Sequence, residues 1–419
     1  SSLVTSNNIT SIWYETFDDE FNTGISNEES YGSIFDNNFI HLSKPHGAVY
    51  GIMTSDATIH NNNIDISSFD CEYWCPHLKG IIADRSIITD NVIDAYYPNG
   101  CCERDHYGIR SIGTSDNPSI IFNNTIDFTS ETNGKAIYAE YADIEGNTII
   151  SNSNSLSIYS GAGNDISFNT ITSNSTAIES NNVDSLVISN NTITSNSTAI
   201  QSGNVASLTI TNNSITSTST AIQSGNVASL TITNNTITSN STAINLSSSD
   251  ALISHNLIES QGRGIEMSNQ SGGEIINNTI VSPNSADFGI HISNQSAPVV
   301  QNNIVEGFTN GIYAENDLQN QFIQNNNLWN ISEEMFSGTA MPALVGEMID
   351  LNINGAECDI YSNLNMDPLF MNPDSTDYNL QAISPCINAG NEGSELDPDG
   401  TISDMGAFYY PDPIVDTTI

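Results

Sequence analysis

Along the middle of the chain, apolar and polar residues alternate in short bursts that return with a fixed period. Ser207–Ile222 reads SLTITNNSITSTSTAI and returns as Ser229–Ile244, SLTITNNTITSNSTAI, while Ser185 opens a weaker copy, SLVISNNTITSNSTAI. Leu208 and Ile210 alternate with Thr209 and Thr211, the period of two that a strand requires. A second short strand is predicted around Ser214, Ile215 and Thr216, and a third around Ala221 and Ile222. Turns fall in Asn, Ser and Gly clusters such as Ser224-Gly225-Asn226. Apolar residues at i, i+3 and i+4 are nearly absent, so helices are not expected. Three short strands in a repeat of about 22 residues predict a parallel β-helix.

The shared kernel is Asn-x-Ile or Asn-x-Leu. Its apolar residue falls at Ile9, Ile40, Ile64, Ile93, Ile126, Ile149, Ile171, Ile193, Ile215, Ile237, Ile258, Ile280, Ile304 and Leu328. The kernels are evenly spaced from Ile126 onward and wider apart before it, so the early coils carry insertions. The kernel apolar residues are expected inside. The asparagines Asn169, Asn191, Asn213, Asn235, Asn256 and Asn278 are expected to stack in a turn and hydrogen-bond to their copies in neighbouring coils. Residues 1–36 read as a first coil with a cap or docking segment, 37–330 as the β-helix, and 331–419 as an irregular capping or docking segment. Solenoid ends have open strand edges, which makes capping or end-to-end pairing a physical requirement.

Charge narrows the partners. Seven Lys and Arg face 49 Asp and Glu, a formal net charge of -42. Nucleic acid and anionic membrane surfaces are excluded, since both demand clustered cations. No run is long enough to span a membrane. The opening at Ser1 reads as a processed, mature product, and six cysteines suit an oxidising compartment. The expectation is an acidic, ordered, extracellular protein.

Near the C-terminus the chain carries Asp367-Pro368-Leu369-Phe370, Asp377-Tyr378-Asn379-Leu380 and Ser384-Pro385-Cys386-Ile387-Asn388-Ala389-Gly390. Asp397-Pro398-Asp399-Gly400-Thr401 and Asp404-Met405-Gly406-Ala407-Phe408 follow. This block, residues 365–411, resembles the terminal block of secreted bacterial right-handed parallel β-helix repeat proteins of the choice-of-anchor, polysaccharide lyase-like type. The repeats before it match that group in pattern only. The resemblance implies a secreted or cell-surface protein of adhesin-like or lyase-like kind, without fixing an activity. The group's fuller form adds a C-terminal sorting domain, and the chain stops at Ile419, so that domain is either removed or replaced by another mode of attachment. The fold expected is thus all-β, a right-handed parallel β-helix of about 13–14 coils with irregular ends.

Candidate chemistry concentrates in the early coils. Lys44, Lys79, Arg85, Arg104 and Arg110 precede Ser111, and so do His41, His46, His60, His77 and His106. A lyase needs a cation against the uronate carboxylate and a base for the adjacent proton, roles open to Lys79, Arg104, His106, Tyr107 and Arg110. The competing reading is that these residues pair locally with Asp84, Glu103 and Asp105. Cys71, Cys75, Cys101 and Cys102 are disulfide candidates, with a zinc site as the alternative, and Cys358 with Cys386 is a further candidate bridge. Asp397, Asp399 and Asp404 half-match a calcium loop, against the reading of an Asp-rich turn. Thr209, Thr211, Thr231 and Thr233, with Thr192, Thr194, Thr236 and Thr238, suggest a hydroxyl grid for ice or glycan, or a plain solvated face. The function expected is a structural or adhesive surface β-helix that self-associates end to end or binds cell-surface or matrix glycans. A polysaccharide lyase and a non-catalytic glycan or ice binder are its rivals.

Overall fold

A computed structural model describes residues 3–12, 22–27, 32–44, 49–68, 77–97, 105–132, 134–315 and 322–411. The strands from Leu3–Thr5 to Glu334–Ser337 come in successive triplets, and each triplet gives one strand to each of three parallel, 14-stranded sheets. The fold is an all-β right-handed parallel β-helix. It divides into an N-terminal unit, Ser1–Thr209 with Asn213–Thr218, and a C-terminal unit, Ile210–Asn212 with Ser219–Ile419. No helix among the described residues is long and apolar enough to cross a membrane.

In the N-terminal unit a coil is represented by Ser185–Ser189, Thr192–Ser195 and Ile200–Gly203, which belong to the first, second and third sheets. Side chains alternate between inside and outside, so Leu186, Ile188 and Ile193 are buried and their neighbours face out. In register, Ile64, Ile93, Ile126, Ile149, Ile171, Ile193 and Ile215 stack through the second sheet. Stacking β-branched side chains at the ~4.8 Å strand spacing brings each into contact with its copies above and below, which forms a continuous apolar column.

Two successive asparagines make the corner between the first and second sheets, and they do different work. Asn190 adopts a left-handed backbone, φ 57°, which Asn tolerates better than other residues with a Cβ. Asn191 turns inward. Its Nδ2 donates to the carbonyls of Ile166 (2.8 Å) and Ser189 (3.0 Å) and to Oδ1 of Asn213 (3.0 Å). The same bonds link Asn7, Asn38, Asn62, Asn91, Asn124, Asn147, Asn169 and Asn191 in sequence order within this unit.

In the C-terminal unit the ladder runs Asn235, Asn256, Asn278, Asn303, Asn326 and then Asn363. Its last rung therefore comes from beyond the regular repeats. Asp359 ends the ladder, accepting from the Asn363 backbone N–H (2.9 Å) and Nδ2 (3.0 Å). Residues 331–411 also pack sideways: Cys358, Leu364, Phe370, Tyr378, Leu380, Cys386, Ala389 and Met405 cover Leu257, Val281 and Ile304 of the second sheet. Ile304 corrects one kernel. It pairs with outward Thr279, while Val305 pairs with inward Ile280, so Val305 is the core residue and Ile304 lies beneath the C-terminal block. The register follows Asn303, the second of the Asn302-Asn303 doublet, not the first.

Candidate functional site

Three of the chain's seven Lys and Arg, Lys79, Arg110 and Lys135, meet on the outer face of the third sheet in the N-terminal unit. The strands are Val49–Ser55, Leu78–Asp84, Tyr107–Ile112, Lys135–Glu140 and Leu156–Ser160. Register places Tyr50, Lys79, Tyr107 and Lys135 in one column and Ile82, Arg110, Tyr138 and Tyr159 in a second. A bend sets this pattern. Gly80 and Gly108 follow Lys79 and Tyr107, and a Cβ on either would fall 2.5 Å from the carbonyl oxygen of the next coil. The strand kinks there, Gly80 and Ile81 both face inward, and the outward positions become Lys79, Ile82 and Asp84.

Cations and rings alternate along the face. The Lys79 Nζ lies 5.6 Å from the ring centroid of Tyr50 and 5.5 Å from that of Tyr107. Lys135 Nζ lies 5.7 Å from Tyr107 and 5.6 Å from Tyr159, and the Arg110 guanidinium is 6.0 Å from Tyr138. Tyr138 and Tyr159 stack at 5.3 Å with rings 10° from parallel. These separations are those at which a ring quadrupole attracts a cation. Arg110 pairs with Asp84 at 3.3 Å and Lys135 with Asp105 at 3.8 Å, whereas Lys79 has no ion-pair partner among the described residues.

Burial pushes the Lys79 ammonium below its ordinary pKa and nearby Arg110 pushes it the same way, with Asp105 opposing. Burial and Asp105 push the Tyr107 hydroxyl far up, and burial and the hydrogen bond to Glu140 do the same for Tyr138. Both tyrosines therefore stay protonated and neither is a base. Tyr50 and Tyr107 are buried beneath the lysines, so the face offers a ligand its cations and the half-buried rings of Tyr138 and Tyr159.

His106 is elsewhere. It is fully buried, stacks on Tyr97 at 4.2 Å, and its Nδ1 accepts the Leu78 N–H at 3.2 Å. The neutral ring thus keeps its proton on Nε2, and burial, with His77 adding to it, pushes the pKa down to about 4. Lys79, Tyr107 and Arg110 are brought together, His106 is turned into the core, and Arg104 lies outside the described residues. Cys71, Cys75, Cys101 and Cys102 also lie outside them. Cys358 and Cys386 are free thiols, both buried in the cluster under the C-terminal block. Sequence reading missed Tyr50, Lys135, Tyr138 and Tyr159. The visible signal was a large residue followed by Gly or Ala at the start of each third strand: Tyr50-Gly51, Lys79-Gly80, Tyr107-Gly108 and Lys135-Ala136.

The other candidates resolve differently. Asp404 is buried, and its two oxygens accept the N–H groups of Asn388 and Tyr410, both at 2.6 Å. Asp397 accepts the Asp404 N–H and Asp399 the Thr401 N–H, so these carboxylates organise turns. Among the described residues no three His, Cys, Asp or Glu side chains are grouped to hold a metal ion. The threonine grid separates into two faces: Thr209, Thr211, Thr231 and Thr233 are on the first sheet, and Thr192, Thr194, Thr236 and Thr238 on the second. The third sheet of the C-terminal unit holds a second ring cluster, with His291 stacked on Tyr313 at 4.9 Å and Arg263 5.6 Å from Phe288. There Arg263 is neutralised by Glu266 and by Asp287 at 3.7 Å.

Comparison with known proteins agrees on the fold. The family described as right handed beta helix region matches residues 220–363, and that described as periplasmic copper-binding protein (NosD) matches residues 128–288. With the three-sheet solenoid, these matches make the chain a right-handed β-helix repeat protein. No curated protein matches. Among solved structures, the Dettilon tailspike protein (gp208) is 13% identical with a TM-score of 0.39, over 74% of this chain and 62% of that one. Pectate lyase Pel9A is 13% identical with a TM-score of 0.41, over 80% of this chain and 88% of that one.

Proposed function

We propose that the chain is an exported, surface-adhesive β-helix whose third-sheet face binds carboxylate-bearing glycans. The observation that carries this is Lys79, a half-buried ammonium held between two tyrosine rings without an ion-pair partner among the described residues. In a chain with 49 acids and seven Lys and Arg, carboxylates are abundant, yet none among the described residues closes on this cation within ion-pair distance. A ligand carboxylate supplies the missing charge, and the half-buried rings of Tyr138 and Tyr159 receive the C–H faces of sugar rings. Copper does not enter the reading: the stretch matched to NosD contains no Cys, one His (His255) and one Met (Met267), and Met267 is in the core.

The test is titration of purified protein against acidic and neutral polysaccharides, with Lys79→Ala and Tyr107→Ala as variants. Each variant should weaken acidic-glycan binding on the order of tenfold, the value of one charge-assisted contact. Arg85→Ala, which removes a pair with Asp56 away from the face, should bind as the parent does. Equal binding by parent and Lys79→Ala would refute the site.

One observation favours lyase chemistry at the same face. Burial and Arg110 depress the Lys79 pKa, which raises the fraction of free amine able to take a proton. Accumulation of unsaturated uronate products, abolished in Lys79→Ala, would establish an enzyme. Tight binding with no such product identifies a binding module.

A further inference from the structure

The placement of the three cations specifies more than a negative ligand. Lys79 and Lys135 share a column two coils apart, with Tyr107 between them in register. In the intervening coil the cation is Arg110, in the second column, three residues along the strand from Tyr107. Successive coils therefore offer a cation on one edge, then the other, then the first again. The step between coils is ~4.8 Å and the columns stand ~10 Å apart.

A 1,4-linked uronan in the flat two-fold form has this same symmetry. Each sugar advances by close to one coil spacing, and each turns its carboxylate to the opposite edge of the ribbon. Resting on the reading of this face as a site for carboxylate-bearing glycans, we propose that its ligand is an extended, two-fold polyuronate lying across successive coils, one sugar per coil. Lys79, Arg110 and Lys135 each take the carboxylate of one of three consecutive sugars. Tyr159 carries the sugar beyond Lys135, so the footprint spans the four strands from Leu78–Asp84 to Leu156–Ser160.

A three-fold uronan of equal charge rotates each carboxylate by a third of a turn. It cannot present consecutive carboxylates to alternating columns, so it meets fewer cations over the same length. The symmetry of the chain, not its charge density, is what the face reads.

The experiment is calorimetric titration of the full chain with size-defined oligomers of mannuronan, a flat ribbon, and of polygalacturonate, a three-fold helix. The ribbon should bind on the order of tenfold more tightly at equal length, because it reaches one more cation than the helix does. Its affinity should stop rising at about four sugars, one per strand that carries Lys79, Arg110, Lys135 or Tyr159. Arg110→Ala should erase the preference while both oligomers keep weak binding. Equal parent affinities for the two polymers, or an Arg110→Ala loss equal for both, would overturn the two-fold inference and leave acidic-glycan binding standing. No binding of any uronan would overturn the glycan reading itself. Circular dichroism of Arg110→Ala separates lost binding from lost fold.

Discussion

Replacing Asn191 by Ala tests what holds the coils in register. The side chain donates three hydrogen bonds, to Ile166 O, Ser189 O and Asn213 Oδ1, and its Oδ1 accepts two, from the backbone N–H (2.9 Å) and Nδ2 (3.0 Å) of Asn169. All of this occurs in a side chain 2% exposed. Alanine deletes the five bonds together. The Asn169 Nδ2 keeps two other acceptors, at Ile144 O and Ser167 O, so its loss is small. The Asn169 backbone N–H is left buried and unmatched, at about 1–3 kcal/mol, whereas the Ile166 carbonyl keeps its place in the strand ladder and loses only a second donor. With about 1 kcal/mol for the remaining lost bonds, the expected loss is about 3 kcal/mol, a sizeable share of the stability of an ordinary domain.

Urea denaturation followed by circular dichroism measures it, with two neighbours as controls. Asn190→Ala forces a left-handed backbone on Ala and should cost about 1–2 kcal/mol. Thr192→Ala removes an exposed hydroxyl and should stay within about 0.5 kcal/mol. Because coils interact with nearest neighbours, hydrogen exchange in Asn191→Ala should rise first around Asn169 and Asn213. A loss below about 1 kcal/mol, or one no larger than that of Asn190→Ala, would refute the claim that the amide ladder, and not the left-handed corner, sets the register.

Acidification should act on the two units with opposite signs. His106 is pushed down to about 4 by burial, so its contribution is full above the ordinary histidine pKa and is lost as pH falls from about 6.5 to 4; hydrogen exchange near Leu78 and Tyr97 should accelerate over that window. Glu306, under the C-terminal block, is pushed up to about 7 by burial and then by Asp367. Its folded form binds the extra proton, so stability should rise as pH falls from about 7 to 4.5, and Glu306→Gln should remove that slope and be the more stable protein at pH 8. Cys358 and Cys386 should resist alkylation in the folded protein and react once it is unfolded without reductant; a requirement for reductant would show a bridge instead. Glycan binding should strengthen as salt rises from low to physiological levels, because screening first removes the long-range repulsion of a chain carrying -42, while the attraction of Lys79 is short-range.

The fold was legible because one requirement repeats. Every coil must fill the same interior and turn the same corner, so Ile and Asn return at a spacing that survives changes elsewhere, and the spacing predicts the solenoid. The reading slipped where two candidate asparagines stood together. Asn302 and Asn303 both precede Ile304, and only the register shows that Asn303 is the rung and Val305 the core residue. The third-sheet face was illegible for a related reason. Lys79 and Lys135 meet because coils of unequal length are stacked, and the insertions that make them unequal also hide the period that would align them. Proximity in sequence misled in the opposite direction. His106 adjoins Tyr107, yet it precedes the strand and its ring is buried against Tyr97, whereas the Tyr107 ring lies between Lys79 and Lys135. A period-two argument applied to Tyr107-Gly108-Ile109 would also have failed, because the kink at Gly108 puts two consecutive residues inside. In a solenoid the core is written in the repeat, and the chemistry in the departures from it. The productive signal is therefore a residue type that recurs at a fixed distance before the kernel of the next coil, as the large residue before Gly or Ala does in four successive coils here.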